Sequence, residues 1–201
     1  MGSLFDFEDQ IPRIPGLTYV AQFLDAETER QLVDYIDQAE WDTTWERRRQ
    51  LFGQTYGRKG RAPRPLPEWG RKLAEKAADA AASPHPFDQM LVNEYLPGQG
   101  IALHRDYEPF DQVGVSISLL SSCVMDLRCV EDNRRESILL KPSSLLVLAD
   151  EARYEWEHGI ARRKNDRWNG ALLPRSRRLS ITFRRQKDSP RHNLESRDYC
   201  S

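Results

Sequence analysis

From residue 90 to residue 184 the chain is punctuated into seven short β-type runs: Met90–Leu96, Val113–Leu120, Val124–Val130, Ser137–Leu140, Leu145–Ala149, Tyr154–His158 and Arg178–Arg184. Pro97-Gly98, Asp132-Asn133 and Lys141-Pro142 supply turns between them. Two stretches with helical spacing come first. Asp25 is a good N-cap, Glu27 and Glu29 suit the positively polarised first turn, and Leu32, Val33, Ile36 and Ala39 recur on one face. A second helix is expected after Pro65-Leu66-Pro67, with Trp69, Leu73, Ala77 and Ala80 as its stripe and Ser83-Pro84 as its stop. Helices followed by many short strands predict an α+β chain: a double-stranded β-helix (jelly roll) with N-terminal helices packed on one sheet. Another small barrel is the alternative. One domain is expected over 1–201, with a helical and lid region at 1–85, the jelly roll at 86–185 and a tail at 186–201.

Within this β-rich half lies His104-Arg105-Asp106, and His158 ends a later run. Alternate residues of an extended strand share a face, so His104 and Asp106 can reach one ion together while Leu103 and Arg105 point away. An isolated His-x-Asp is most often a surface pair; the distant His158 raises its weight. Two imidazoles and one carboxylate leave coordination positions open, the arrangement of a non-haem Fe(II) oxygenase. A zinc hydrolase needs a general base beside the metal-bound water, and none is nominated.

Arg178-Leu-Ser180-Ile-Thr182-Phe-Arg184 has the same parity. Arg178, Ser180, Thr182 and Arg184 share one face; Leu179, Ile181 and Phe183 take the other. Two arginines on one face of a buried strand are costly unless an anion satisfies them, and a guanidinium fork binds a carboxylate through two hydrogen bonds. A dicarboxylate that chelates iron at one end explains metal and arginines together, whereas internal salt bridges explain only the arginines. Asn93 and Tyr95 share a face and add hydrogen-bonding groups.

Charge is uneven along the chain. Residues 1–43 hold ten acids against two bases, and residues 44–76 hold ten bases against three acids. In the second stretch Trp45, Arg47, Arg48, Arg49, Phe52 and Tyr56 interleave cations with aromatics, a pattern that suits phosphates and stacked bases as well as an ordinary basic surface. Arg162, Arg163, Lys164 and Arg167 form a second candidate phosphate-contacting loop. Three cysteines outside any Cys-x-x-Cys pair, no apolar run of membrane-spanning length and no leader-like N-terminus predict an intracellular, cytoplasmic chain without membrane contact. A monomer is expected.

The stretch Asn93-Glu-Tyr-Leu-Pro-Gly-Gln-Gly-Ile-Ala-Leu-His104-Arg-Asp106 resembles the Asn-x-Tyr-x-x-Gly-x-x-Ile-x-x-His-x-Asp pattern of the AlkB family of Fe(II)/2-oxoglutarate dioxygenases. His158-Gly-Ile and Arg178-x-Ser-x-Thr-x-Arg184 are similar to its distal iron ligand and its closing cosubstrate strand. The resemblance covers about residues 45–185. Arg47-Arg-Arg-Gln-Leu-Phe-Gly53, Val124-Met-Asp-Leu-Arg128 and Tyr154-Glu-Trp-Glu-His-Gly-Ile160 look most like the branch that hydroxylates wobble uridines in tRNA.

That resemblance implies His104, Asp106 and His158 as iron ligands. Arg178 would pair with the distal carboxylate of 2-oxoglutarate, Arg184 would lie near its chelating end, and Asn93, Tyr95 and Ser180 would complete the cosubstrate site. Arg47, Arg48, Arg49, Phe52 and Tyr56 would engage substrate from a lid. The implied cofactors are Fe(II), 2-oxoglutarate and O2, and the implied reaction hydroxylates or oxidatively dealkylates a modified nucleobase in tRNA or in single-stranded or alkylated DNA. The same chemistry on a protein or small molecule, and an inactive jelly roll that only binds a partner, are the alternatives.

Overall fold

Apolar residues at helical spacing need a flat apolar partner, and the alternating strands provide it. The computed structural model describes residues 11–53 and 64–187. Helix α1 (Ala26–Gln38) starts where expected, with the Asp25 carboxylate accepting the Thr28 N–H at 2.7 Å. Helix α2 (Glu68–Ala80) follows Pro67. Leu32 and Ile36 of α1, with Leu73, Ala74 and Ala77 of α2, pack against Met90, Val92, Ile117, Ile181 and Phe183. Burying such a side chain contributes about 1.5–3 kcal/mol. The exposed Arg30–Glu27 and Arg30–Asp34 pairs on α1 contribute less than about 1 kcal/mol each. Packing on the sheet therefore holds the helices.

The strands are β1 (Leu17–Val20), β2 (Arg49–Gly53), β3 (Gln89–Tyr95), β4 (Ile101–His104), β5 (Gly114–Leu119), β6 (Cys123–Cys129), β7 (Arg135–Leu140), β8 (Ser144–Leu148), β9 (Trp156–Ile160), β10 (Asn165–Trp168), β11 (Ala171–Pro174) and β12 (Arg178–Arg184). They form a six-stranded sheet in the order β1-β8-β5-β12-β3-β2, a four-stranded sheet β4-β9-β6-β7, and the separate hairpin β10-β11. The larger sheet presents one face to the helices. Residues from both sheets, among them Met125, Leu127, Leu146, Leu148, Trp156 and Ile160, share a second core. The expected α+β jelly roll with helices outside one sheet is what the chain builds.

Three features depart from the sequence reading. Residues 1–85 are not only helix and lid, because β1 and β2 form the two edges of the larger sheet. Strand β2 is tied to α1 by the buried Gln50, whose Nε2 donates to Ile36 O at 2.7 Å and Ala39 O at 3.2 Å. The run expected over Tyr154–His158 begins two residues later as β9, because Asp150–Tyr154 closes into a short helix, α3. Acids in its first turn and Arg153 in its last suit the helix dipole, and Ala152 N–H anchors it on Pro15 O at 3.0 Å. Finally, β4 is too short to show as a run in the sequence: only Ile101 and His104 pair with β9, with an irregularity between them. No helix among the described residues is long and apolar enough to cross a membrane.

Candidate metal and cosubstrate site

The space between the sheets is filled at one end and open at the other. There, Tyr95, Met125, Leu146, Leu148 and Ile160 of the shared core also line a cavity of about 230 Å³. His104, Asp106 and His158 enter it together, each offering a ligand atom within 4.8 Å of the others. Register explains the histidines, because His104 of β4 stands directly opposite His158 of β9, with ring centroids 4.5 Å apart. The bare backbone of Gly159 lets β4 come this close, since a Cβ there would stand 2.9 Å from Leu103 N and 3.0 Å from Ile101 O.

The charge states suit a divalent cation. Burial, against the pull of Asp106, pushes the His158 imidazole down to about 4, so it is neutral near pH 7. The Nδ1 of His104 lies 3.0 Å from Ala102 O, which fixes the tautomer that leaves Nε2 as a lone-pair donor. Burial alone would push the Asp106 carboxyl up, yet Arg184, through its charge and its hydrogen bond, holds it well below the usual carboxylate range. Arg184 Nη2 donates to Asp106 Oδ1 at 2.6 Å.

The far side of the cavity is built by parity on β12 and its neighbours. Arg178, Ser180, Thr182 and Arg184 face inward, with Asn93 and Tyr95 alongside on β3. Arg178 is 3% exposed; Nη2 donates to Ser118 Oγ at 2.7 Å, and Tyr95 lies under the guanidinium at 5.3 Å. Its Nε and Nη1 are buried without hydrogen-bond partners. Buried donors left open are costly, and an open donor on a charged guanidinium suits an anionic oxygen. These residues therefore fit a dicarboxylate, and the His/Asp/His donor set fits Fe(II).

The expected substrate segment is divided. Arg47, Arg49 and Trp45 line the cavity, with Arg47 donating to Gly100 O and Arg49 stacked 4.2 Å over the Trp45 ring. Arg48 turns the opposite way, paired with Glu94 at 2.7 Å and stacked over Trp41 at 4.4 Å. Phe52, 5% exposed, belongs to the core under the helices and does not line the cavity. On β2 strand parity separates Arg49 from Phe52, and reading the segment as one lid concealed it. Tyr56 lies outside the described residues. In the second basic loop, Arg162 pairs with Glu46 and Arg163 with Asp166, while Lys164 and Arg167 are exposed. Sequence reasoning missed Ser116, on the cavity wall through the same alternation, and the buried Arg153, for which no motif gave a signal.

Comparison with known proteins gives concordant results. The family model described as 2OG-Fe(II) oxygenase superfamily matches residues 27–184. An uncharacterized protein, L905, of Acanthamoeba polyphaga mimivirus is 32% identical over 84% of each chain. The Xenopus tropicalis tRNA (carboxymethyluridine(34)-5-O)-methyltransferase alkbh8 is 30% identical over 88% of this chain, which spans only 32% of that protein's length. Among solved structures, OsALKBH1 superposes with a TM-score of 0.69 at 19% identity, covering 86% of this chain and 99% of that one.

Proposed function

The chain belongs to the 2OG-Fe(II) oxygenase superfamily, in its AlkB family, and on that premise we propose that it oxidises a modified nucleobase in tRNA or DNA. As a member it is a dioxygenase using Fe(II), 2-oxoglutarate and O2. In this reading His104, Asp106 and His158 would hold the iron. Bound there, Fe(II) and 2-oxoglutarate would supply an oxidation that consumes O2, yields succinate and CO2, and puts one oxygen atom into a substrate C–H bond. Hydroxylation at a carbon attached to nitrogen releases an aldehyde and the dealkylated base.

The chain's own residues prepare this reaction by placement. Arg178 would offer an open, buried N–H group to the distal carboxylate, while Ser118 and the Tyr95 ring hold the guanidinium in place. Asn93, Ser180 and Ser116 add polar contacts along the same wall; Ser116 and Ser180 already share a hydrogen bond of 3.0 Å. Arg184 keeps Asp106 ionised and aimed. Neutral His158 needs no deprotonation before it binds a metal. The observation that carries the reading is an open, buried Arg178 donor in the same cavity as the His/Asp/His cluster.

For the substrate, Trp45 is 53% exposed at the cavity and backed by the Arg49 guanidinium, which suits stacking of an unpaired base. A relative that carries tRNA in its name supports the same class. Nucleoside mass spectrometry after incubation with Fe(II) and 2-oxoglutarate tests it, using bulk tRNA and methylated single-stranded DNA as separate pools. The expected result is one added oxygen or one lost methyl group in one pool, absent with His104→Ala. Consumption of 2-oxoglutarate with both pools unchanged would move the substrate to a protein or small molecule.

A further inference from the structure

Asp106 is held in an unusual way. Strand β4 ends at His104, and the ladder with β9 places no pair at residues 105–107. Arg184 fixes the Asp106 side chain. Further along the turn, Tyr107 O accepts the Phe110 N–H at 3.0 Å, and residues 109–111 are tied to 185–187 by main-chain bonds from Asp111 N–H to Arg185 O and from Lys187 N–H to Pro109 O. At residues 106 and 107 themselves, α3 adds side-chain support. Arg153, 3% exposed, sends Nη1 to Asp106 O at 3.0 Å and Nη2 to Tyr107 O at 2.9 Å. Arg105 reaches back from the turn, its Nη1 donating to Tyr154 O at 2.8 Å. Two guanidinium groups thus bridge the same gap in opposite directions. Helix α3 runs on into β9, which carries His158. The clasp therefore ties the turn bearing Asp106 to the segment that leads to the third ligand.

Burying a guanidinium whose hydrogen-bond partners are carbonyls rather than a carboxylate is costly. An apolar side chain could fill that volume at α3 more cheaply. What an apolar side chain cannot do is set the position of two consecutive carbonyls, and so the direction in which Asp106 leaves the main chain.

We propose that Arg153, with Arg105 as its reciprocal partner, is the positioning residue for the carboxylate ligand. This rests on the His104–Asp106–His158 reading of the metal site. Neither arginine is a ligand in that reading, and each acts through the main chain. Residues that orient a metal ligand change affinity about 10–100-fold when removed.

The test is Mn(II) binding to the full chain without turnover, followed by the electron paramagnetic resonance of free aquo-Mn(II), with circular dichroism to verify the fold. Arg153→Met is expected to weaken Mn(II) binding by about 10–100-fold. Arg153→Lys should recover only part, because one ammonium does not fork across both carbonyls. Arg128→Met, which removes the Arg128–Glu157 pair elsewhere in the same sheet, should bind as wild type. A folded Arg153→Met variant with wild-type affinity overturns the proposal. Should that variant fail to fold, the exposed Arg105→Ala decides, with an expected loss of about fivefold, equivalent to about 1 kcal/mol; unchanged affinity overturns the proposal. If the wild-type chain takes up no Mn(II), the metal-site reading itself fails, and this inference with it.

Discussion

His158 carries its own signature in the metal-free protein. Its imidazole is pushed down to about 4 from an ordinary value of 6.5. Between those values the unfolded chain binds a proton at residue 158 that the folded chain refuses, so stability is lost as pH falls across that window. The loss amounts to at most about 3 kcal/mol. Asp106 works in the same direction lower down: its carboxyl lies below 3.8 in the folded state, so its contribution disappears as pH falls beneath that value. Denaturant titrations of the metal-free protein at pH 7 and pH 5 should show a lower midpoint at pH 5, and His158→Gln should remove most of the difference. Equal pH dependence in the two proteins would place the sensitivity elsewhere.

At the scale of elements, the approach of β4 to β9 rests on Gly159. A Cβ at position 159 would meet the β4 backbone at Leu103 N and Ile101 O, atoms that move only if the strand moves. Gly159→Ala should cost about 1–3 kcal/mol, seen as a lower melting midpoint, and should weaken Mn(II) binding because His104 shifts with β4. An unchanged midpoint and affinity would mean that β4 is not constrained by that contact. This neighbourhood also marks how far the sequence could be read. Strand β12 was readable residue by residue, since Arg178 to Arg184 alternate without interruption and pair in full with β3. His104 and His158 were visible as residue types in a pattern, but their cross-strand opposition depends on a bulged register that no local run encodes. Strand β2 was hidden because Arg49, an ordinary cation in sequence, faces the cavity, while Gln50 and Phe52 turn inward. Arg153 was invisible, since the carbonyls it holds lie some 46–47 residues earlier in the chain.

Across the whole molecule the formal charge is −1, so any polyanion must be met by a local patch rather than by the overall field. Several basic residues are already engaged: Arg48 with Glu94, Arg162 with Glu46, Arg163 and Arg175 with Asp166, and Arg177 with Asp37. Lys164, just before β10, and Arg167, on it, are exposed and outside such pairs among the described residues. If nucleic acid is the substrate, the double variant Lys164→Ala/Arg167→Ala should lower the salt slope of single-strand binding by about 1.4, at about 0.7 per phosphate contact. A slope equal to wild type would exclude this loop. The ion pair between Arg184 and Asp106 has a consequence at the same scale. With a guanidinium already facing it, the buried carboxylate has a counter-charge before any metal arrives, so folding is not obliged to wait for loading. Unlike a small zinc domain, which is unfolded without its ion, this architecture lets iron be stripped and replaced as an exchangeable part of a finished protein.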